Sequence, residues 1–142
     1  MAQYDAQSNN NSNRNIRQYG DLDLFFGKKS SNSDIQDITD VKAVKRSIRN
    51  LVLLNHYEKP FHPEIASGVR DMLFELMTPV TAIILARKIE DVIQNFEPRA
   101  RLVAVNAFPN LDRNEYEVSI EFYVVNQPTE LVDLTIMLER IR

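Results

Sequence analysis

The 142-residue chain carries 17 Lys and Arg against 20 Asp and Glu, a formal net charge of -3, which leaves no basic footprint for nucleic acid. It has no cysteine, so disulfides, thiolate metal sites and a cysteine nucleophile are excluded, in keeping with a reducing cytoplasm. Its start lacks a basic-then-apolar leader and no apolar run approaches the roughly 20 residues that span a bilayer, so it reads as a soluble chain with neither membrane nor nucleic acid as partner.

Residues 1–19 hold Gln3, Gln7, Ser8, Asn9, Asn10, Asn11, Ser12, Asn13 and Asn15, too few apolar groups to offset the entropy of ordering them. This predicts a disordered arm, with Tyr4, Ile16 and Tyr19 as its anchors on a partner, followed by one domain over residues 20–142. Between two glycines, Gly20-Asp21-Leu22-Asp23-Leu24-Phe25-Phe26-Gly27 alternates polar and apolar. That pattern predicts a short edge strand or an extended docking segment presenting Leu22, Leu24, Phe25 and Phe26. Lys28 to Asp34 is a polar loop. From Thr39 or Asp40, both suitable N-caps, Val41, Val44, Ile48, Leu51 and Val52 recur at helical spacing, with Lys42, Lys45, Arg46 and Arg49 elsewhere around the wheel.

The prolines at 60 and 63 make Asn55 to Pro63 a loop, and Pro63 suits the first position of a second helix with Ile65, Val69, Met72, Leu73 and Leu76 as its buried stripe. Thr78 then caps a third helix opened by Pro79 and carrying Val80, Ile83, Ile84, Leu85, Ile89, Val92, Ile93 and Phe96. An apolar arc this wide predicts burial between two layers or at an interface. Pro98 stops it, because its ring removes a donor and pushes Glu97 out of the helical region.

Beyond Asn95-Phe96-Glu97-Pro98-Arg99 the pattern changes to β. Arg101 to Phe108 predicts a strand with Val103, Val105 and Ala107 on one face, and Pro109 to Asn114 a turn. Tyr116, Val118, Ile120, Phe122 and Val124 alternate with polar residues, and after a break at Asn126-Gln127-Pro128 so do Val132, Leu134, Ile136 and Leu138. The expected fold is α+β: three helices packed on one face of a small antiparallel three-stranded meander.

Little in this chain points to catalysis. His56, His62 and Glu64 are the one grouping with metal-ligand chemistry, and they lack the spacing that puts two ligands on one helical face; no metal, cofactor or small-molecule substrate is expected. Neither a phosphate loop nor a nucleophile elbow is present. Glycoside hydrolysis needs two carboxylates, one with a raised pKa, whereas Glu115, Glu117, Glu121, Asp71, Glu75, Glu90 and Asp91 read as solvated faces. Glu97 stands apart, at the unfavourable negative end of a helix dipole. Arg99 beside it keeps it ionised, which suits an ion-pairing recognition element serving a neighbour inside or outside the protein.

Glu97-Pro98-Arg99 between a long helix and a strand, preceded by Glu58-Lys59-Pro60-Phe61-His62-Pro63-Glu64 and by Gly20 to Phe26, resembles the baseplate wedge proteins of contractile-tailed phages, whose relatives occur in type VI secretion baseplates. The similarity covers about residues 20–126. In that family the Glu-Pro-Arg triplet after the long helix is the signature. Tyr57 stands where the family usually has glycine, and Ile65-Ala66-Ser67-Gly68 where it often has Phe-Gly-Ser. The family has also been labelled lysozyme-like, which makes a cell-wall glycosidase of the tail the alternative reading. What the resemblance implies is a non-enzymatic virion part, assembled in the host cytoplasm. It would join other wedge proteins through Glu97, Pro98 and Arg99, lie near the tail tube, and template the first ring of tail sheath. Strand addition beside the last strand, around Val132, Leu134, Thr135, Ile136 and Leu138, is the expected means.

Overall fold

The computed structural model describes residues 19–30 and 33–141; the Asn/Ser-rich arm, with Tyr4 and Ile16, lies outside the described residues. Two short strands, β1 (Gly20–Leu22) and β2 (Asp37–Thr39), pair antiparallel, with Asp21 opposite Ile38. Helix α1 (Asp40–Leu53) follows directly, then a single helical turn α2 (Val69–Met72), the long helix α3 (Pro79–Phe96), and strands β3 (Ala100–Asn110), β4 (Glu115–Val124) and β5 (Gln127–Glu139). These last three form an antiparallel sheet in the order β3-β4-β5. The α+β class holds, and the pairing of β1 with β2 adds a second small sheet.

The two long helices form where the apolar period places them. α1 buries Ala43, Val44, Ile48 and Val52, and α3 buries Ala82, Leu85, Ile89, Val92 and Ile93. Thr78 Oγ1 accepts a hydrogen bond from the Thr81 amide at 3.1 Å ahead of Pro79, a cap worth about 1 kcal/mol. Thr39 is the N-cap of α1, as expected, but makes no side-chain cap bond. Instead the Asp40 carboxylate accepts from the Tyr19 amide (3.2 Å) while the Asp40 amide donates to the Tyr19 carbonyl (2.7 Å), so the helix start is tied to the chain ahead of β1. The wide arc of α3 is only half used, for Val80, Ile83 and Ile84 remain exposed.

A second full helix over Pro63 to Leu76 does not form. Ser67 is buried and commits its groups to the end of α1: its hydroxyl donates to the Val52 carbonyl (2.7 Å) and its amide to the Leu54 carbonyl (3.2 Å). Side-chain bonds of this kind compete with the helical ladder. Gly68 then adopts φ 61°, and only the turn from Val69 remains. Val69 and Leu73 still reach the core, while Leu76 is exposed.

The sheet corrects two further readings. Leu102 faces Phe122 and Ala104 faces Glu121, so Val103 is the extra residue of a bulge. That insertion changes the parity, so Leu102, not Val103, joins Val105 and Ala107 against the core and Val103 is exposed. β3 also runs through Pro109 to Asn110. The Val125 amide donates to the Arg99 carbonyl (3.0 Å), and from that bond the register puts the nitrogen of Pro109 on the outer side of β3, where a missing donor costs no ladder bond.

The same parity argument orients β5. The Arg140 amide donates to the Asn114 carbonyl at 3.0 Å, in continuation of the β4–β5 register. The even residues Val132, Leu134, Ile136 and Leu138 therefore spend their backbone groups on β4 and also face the core. Asp133, Thr135, Met137 and Glu139 point N–H, C=O and side chain away. No described residue hydrogen-bonds to those outward backbone groups.

Tyr116, Phe122, Ile120, Ile48, Leu85, Ile89 and Ile93 are fully buried where helices and sheet meet. In contrast, Tyr57 is exposed and held at φ 66°, a left-handed conformation that costs an L-residue about 1–2 kcal/mol. The position is the one where the family resemblance has glycine. Tyr57→Gly is therefore expected to raise stability by about 0.5–1 kcal/mol in urea unfolding, the gain being reduced by the freer unfolded chain.

Candidate functional site at the helix-to-strand joint

α3 ends at Phe96, and Glu97 leaves the helix with φ -125°, its amide still donating to the Ile93 carbonyl at 3.0 Å. Pro98 follows, and Arg99 leads into β3 with its carbonyl already engaged by Val125. This short joint turns the Glu97 side chain inward, leaving the residue 3% exposed. Arg99 meets it side-on: Nε lies 2.7 Å from Oε1 and Nη2 lies 3.0 Å from Oε2. The remaining nitrogen, Nη1, reaches the Asp21 carboxylate at 3.1 and 3.3 Å, and the guanidinium lies 5.7 Å from the ring centre of Tyr19. From α1, Ser47 helps hold the Glu97 carboxyl in its charged form. The ends of α3 and β3, strand β1 and the middle of α1 are thus fastened at one point.

The electrostatics follow from these contacts. Burial alone would push the Glu97 carboxyl up, but hydrogen bonds from Arg99 and Ser47, and the charge of Arg99, together hold it below the ordinary carboxylate range. Arg99 is raised further above its already high value, chiefly by its hydrogen bonds to Glu97. A carboxylate held in this way has no proton to give at neutral pH, so Glu97 is not placed to act as a general acid.

The neighbours that the position of Glu97 called for lie inside the chain. Glu97 and Arg99 form a bidentate ion pair with each other, its carboxylate end buried. Asp21, Ser47 and Tyr19 are the members that sequence reasoning missed; Asp21 lies 78 residues from Arg99, and no local pattern couples them. Leu22, Leu24, Phe25 and Phe26 are exposed beside the joint. Arg46 of α1 packs over the Phe25 ring at 4.5 Å and lies 3.6 Å from the Asp23 carboxylate. A pocket of about 430 Å³ opens between this segment and α1, with Asp21 and Ser47 in its wall. The β5 residues lie elsewhere: Val132, Ile136 and Leu138 are buried and Leu134 half-buried, leaving only Thr135 of that set facing outward. His62 Nδ1 sits 3.0 Å from the Glu64 carboxylate, and among the described residues no three His, Asp or Glu groups converge to hold a metal.

An α+β layer pair closed by a charge clasp at its helix-to-strand joint is a fold with known counterparts. Residues 39–129 match the family model of baseplate wedge protein gp25, and the chain belongs to that family. The baseplate wedge protein gp25 of Enterobacteria phage T4 is 32% identical over 120 residues, which span 84% of this chain and 90% of that protein. Two solved structures share the fold. A protein from Geobacter sulfurreducens designated a tail lysozyme superposes with a TM-score of 0.66 at 20% identity, covering 71% of this chain and 91% of its own. A chain of the anti-feeding prophage baseplate does so at 0.61 and 18%, covering 88% of each.

Removing one member of a buried ion pair strands the other, at a cost of about 3–5 kcal/mol. Arg99→Ala is thus expected to unfold at lower denaturant than Glu97→Ala/Arg99→Ala, which removes both charges; equal or reversed midpoints would rule out the buried pair. The lowered Glu97 pKa sets a pH dependence as well. Its contribution to stability is complete above the ordinary carboxylate value of about 4.3 and is lost as pH falls through the lower folded value. Acid unfolding of Glu97→Gln should be correspondingly shallower than that of the parent chain.

Proposed function

We propose that the chain is a structural, non-enzymatic subunit of a contractile-tail baseplate wedge. In this reading it is assembled in the host cytoplasm and carried in the virion, and it joins the wedge to the tail sheath. The observation that carries the reading is the outer side of β5, where Asp133, Thr135 and Met137 direct backbone donors and acceptors away from the sheet with no described partner. An extended arm of a sheath subunit adds there as a further antiparallel or parallel strand and so templates the first ring. The negative charges of Asp133 and Glu139 restrain indiscriminate pairing of that edge. Residues 20–142 act as one unit. The joint, through exposed Pro98 and the accessible part of Arg99, together with Leu22, Leu24, Phe25 and Phe26, faces other wedge proteins near the tail tube.

A tail glycosidase is the second reading, raised by the designation of the Geobacter sulfurreducens protein. The ionised state of Glu97 argues against it, because the most buried acid of the described chain cannot protonate a leaving group. A type VI secretion role uses the same surfaces, and the genes flanking this one separate it from a phage tail.

Thr135→Pro removes an outward donor without touching the β4 ladder, and Thr135→Ala is its control. Both variants should fold and enter baseplates, with sheath initiation lost only in the proline variant. Normal sheath growth on Thr135→Pro baseplates sinks the strand-addition model, and peptidoglycan release by the purified chain, abolished in Glu97→Gln, would replace the structural reading with the enzymatic one.

A further inference from the structure

Charge is sorted between the two layers of the fold. Helix α1 carries Lys42, Lys45, Arg46 and Arg49 against a single acid, Asp40, at its first position, and that carboxylate already accepts from the Tyr19 amide. Arg46 lies 3.6 Å from Asp23. Lys42, Lys45 and Arg49 take part in no ion pair among the described residues. These three recur at the three- and four-residue spacing that sets helix side chains in one row. They form a basic stripe about 10 Å long, with Lys42 and Arg49 exposed.

The sheet does the reverse on the side away from the helices. Strands β4 and β5 contain no Lys or Arg, and Glu115, Glu117, Glu121, Asp133 and Glu139 all fall on the odd positions that turn away from the core. The register sets Glu121 opposite Asp133 and Glu115 opposite Glu139. Because the even residues hold the hydrogen bonds of this ladder, both are pairs of the non-hydrogen-bonded kind, in which side chains stand closer. Like charges directly opposite each other cost stability. Arg113 lies 3.8 Å from Glu115 and the Ser119 hydroxyl donates to Asp133 at 3.1 Å, but Glu117, Glu121 and Glu139 meet no cation among the described residues. Solvation alone does not require acids to be set across from acids, so the fold by itself does not account for this face.

We propose that the basic stripe of α1 on one copy of the chain docks on the outer sheet face of a second copy. Charge complementarity selects that occupant. Both halves of the contact are present in every molecule, on layers separated by the core, so one chain cannot bring them together and two chains can. The dimensions agree as well: Glu117 to Glu121 spans about 13 Å along β4, and Asp133 stands on the neighbouring strand about 5 Å away. Arg49 and Lys42 then lie over Glu117 and Glu121, with Lys45 toward Asp133. Leu53, exposed beyond Arg49, and Met137, exposed across from Glu117, add an apolar contact. Two different surfaces meet, so each copy keeps one face free and a third can add. Neither the outward backbone groups of β5 nor the joint takes part, so the contact stands or falls independently of the proposed function.

The test follows the full chain by sedimentation velocity and by the concentration dependence of its amide NMR spectrum. Exposed ion pairs are individually weak, so mass above the monomer is expected from about 0.1–1 mM protein at about 0.02 M salt. It should be lost at about 0.5 M salt, where charges are screened within a few ångströms. Amides of residues 42–49 and of residues 117–121 should shift together as concentration rises. Lys42→Glu/Arg49→Glu and Glu117→Lys/Glu121→Lys should each weaken self-association about tenfold, and an equal mixture of the two should restore it, because each supplies the charge that the other has lost. Glu90→Lys/Asp91→Lys, on the exposed side of α3, changes net charge as much as the sheet reversal and should leave self-association unaltered. Lys42→Gln/Arg49→Gln and Glu117→Gln/Glu121→Gln serve as milder variants should a reversal unfold. A monomer at every concentration, association that survives high salt, shifts on one face alone, or a mixture that stays monomeric would each overturn the proposal.

Discussion

A carboxylate with almost no access to water must either surrender its charge or be surrounded by donors, and Glu97 is surrounded. Its two oxygens take the side of the Arg99 guanidinium, and Ser47 of α1 further favours the charged form. Because Arg99 has one nitrogen to spare, the clasp extends to Asp21 and fixes β1 against the start of the large sheet. Desolvating these groups is costly, and an apolar cluster of similar volume could stabilise as well. What the charges add is geometry: a planar fork meets two carboxylates in one arrangement, so the angle at which α3 gives way to β3 is set by bonding directions. The rest of the sheet takes its place from that angle, since the carbonyl of Arg99 is where β4 closes onto β3.

Elements whose period matches a buried stripe could be read directly from the residues. α3 begins at Pro79 and ends at Phe96, where its cap and its proline stop predict, and the alternation from Tyr116 to Val124 is the centre of the sheet. Reading failed where backbone groups are satisfied by something other than the local ladder. Ser67 draws its segment toward α1 and leaves one turn of helix in place of about four. Val103 enters β3 as an extra residue and reverses the side assignment of its neighbours. Pro109 looks like a turn and is a strand residue, because its missing donor faces outward. The short β1–β2 ribbon carries too few residues for alternation to be diagnostic.

The joint was legible as an anomaly. An acid at the negative end of a helix dipole is unfavourable unless something else engages it, and that much follows from the order of Phe96, Glu97, Pro98 and Arg99. Which groups engage it does not follow, for Asp21 and Tyr19 come from the segment at β1 and Ser47 from α1. In β5 residue type alone does not say which residues meet a partner. Its apolar residues attract notice, yet they serve the core, and it is the polar and less regular set between them that meets the exterior.

That division along β5 bears on how such a chain changes over generations. In a strand the direction of the side chain and the direction of the backbone amide alternate together, so Val132, Leu134, Ile136 and Leu138 answer to the interior in both respects, while Asp133, Thr135 and Met137 answer to the surroundings in both. Substitutions in the first group are filtered by whether the molecule folds. Those in the second are filtered by what the molecule meets, and so a single strand can hold its architecture constant while its outward chemistry drifts to follow a changing neighbour.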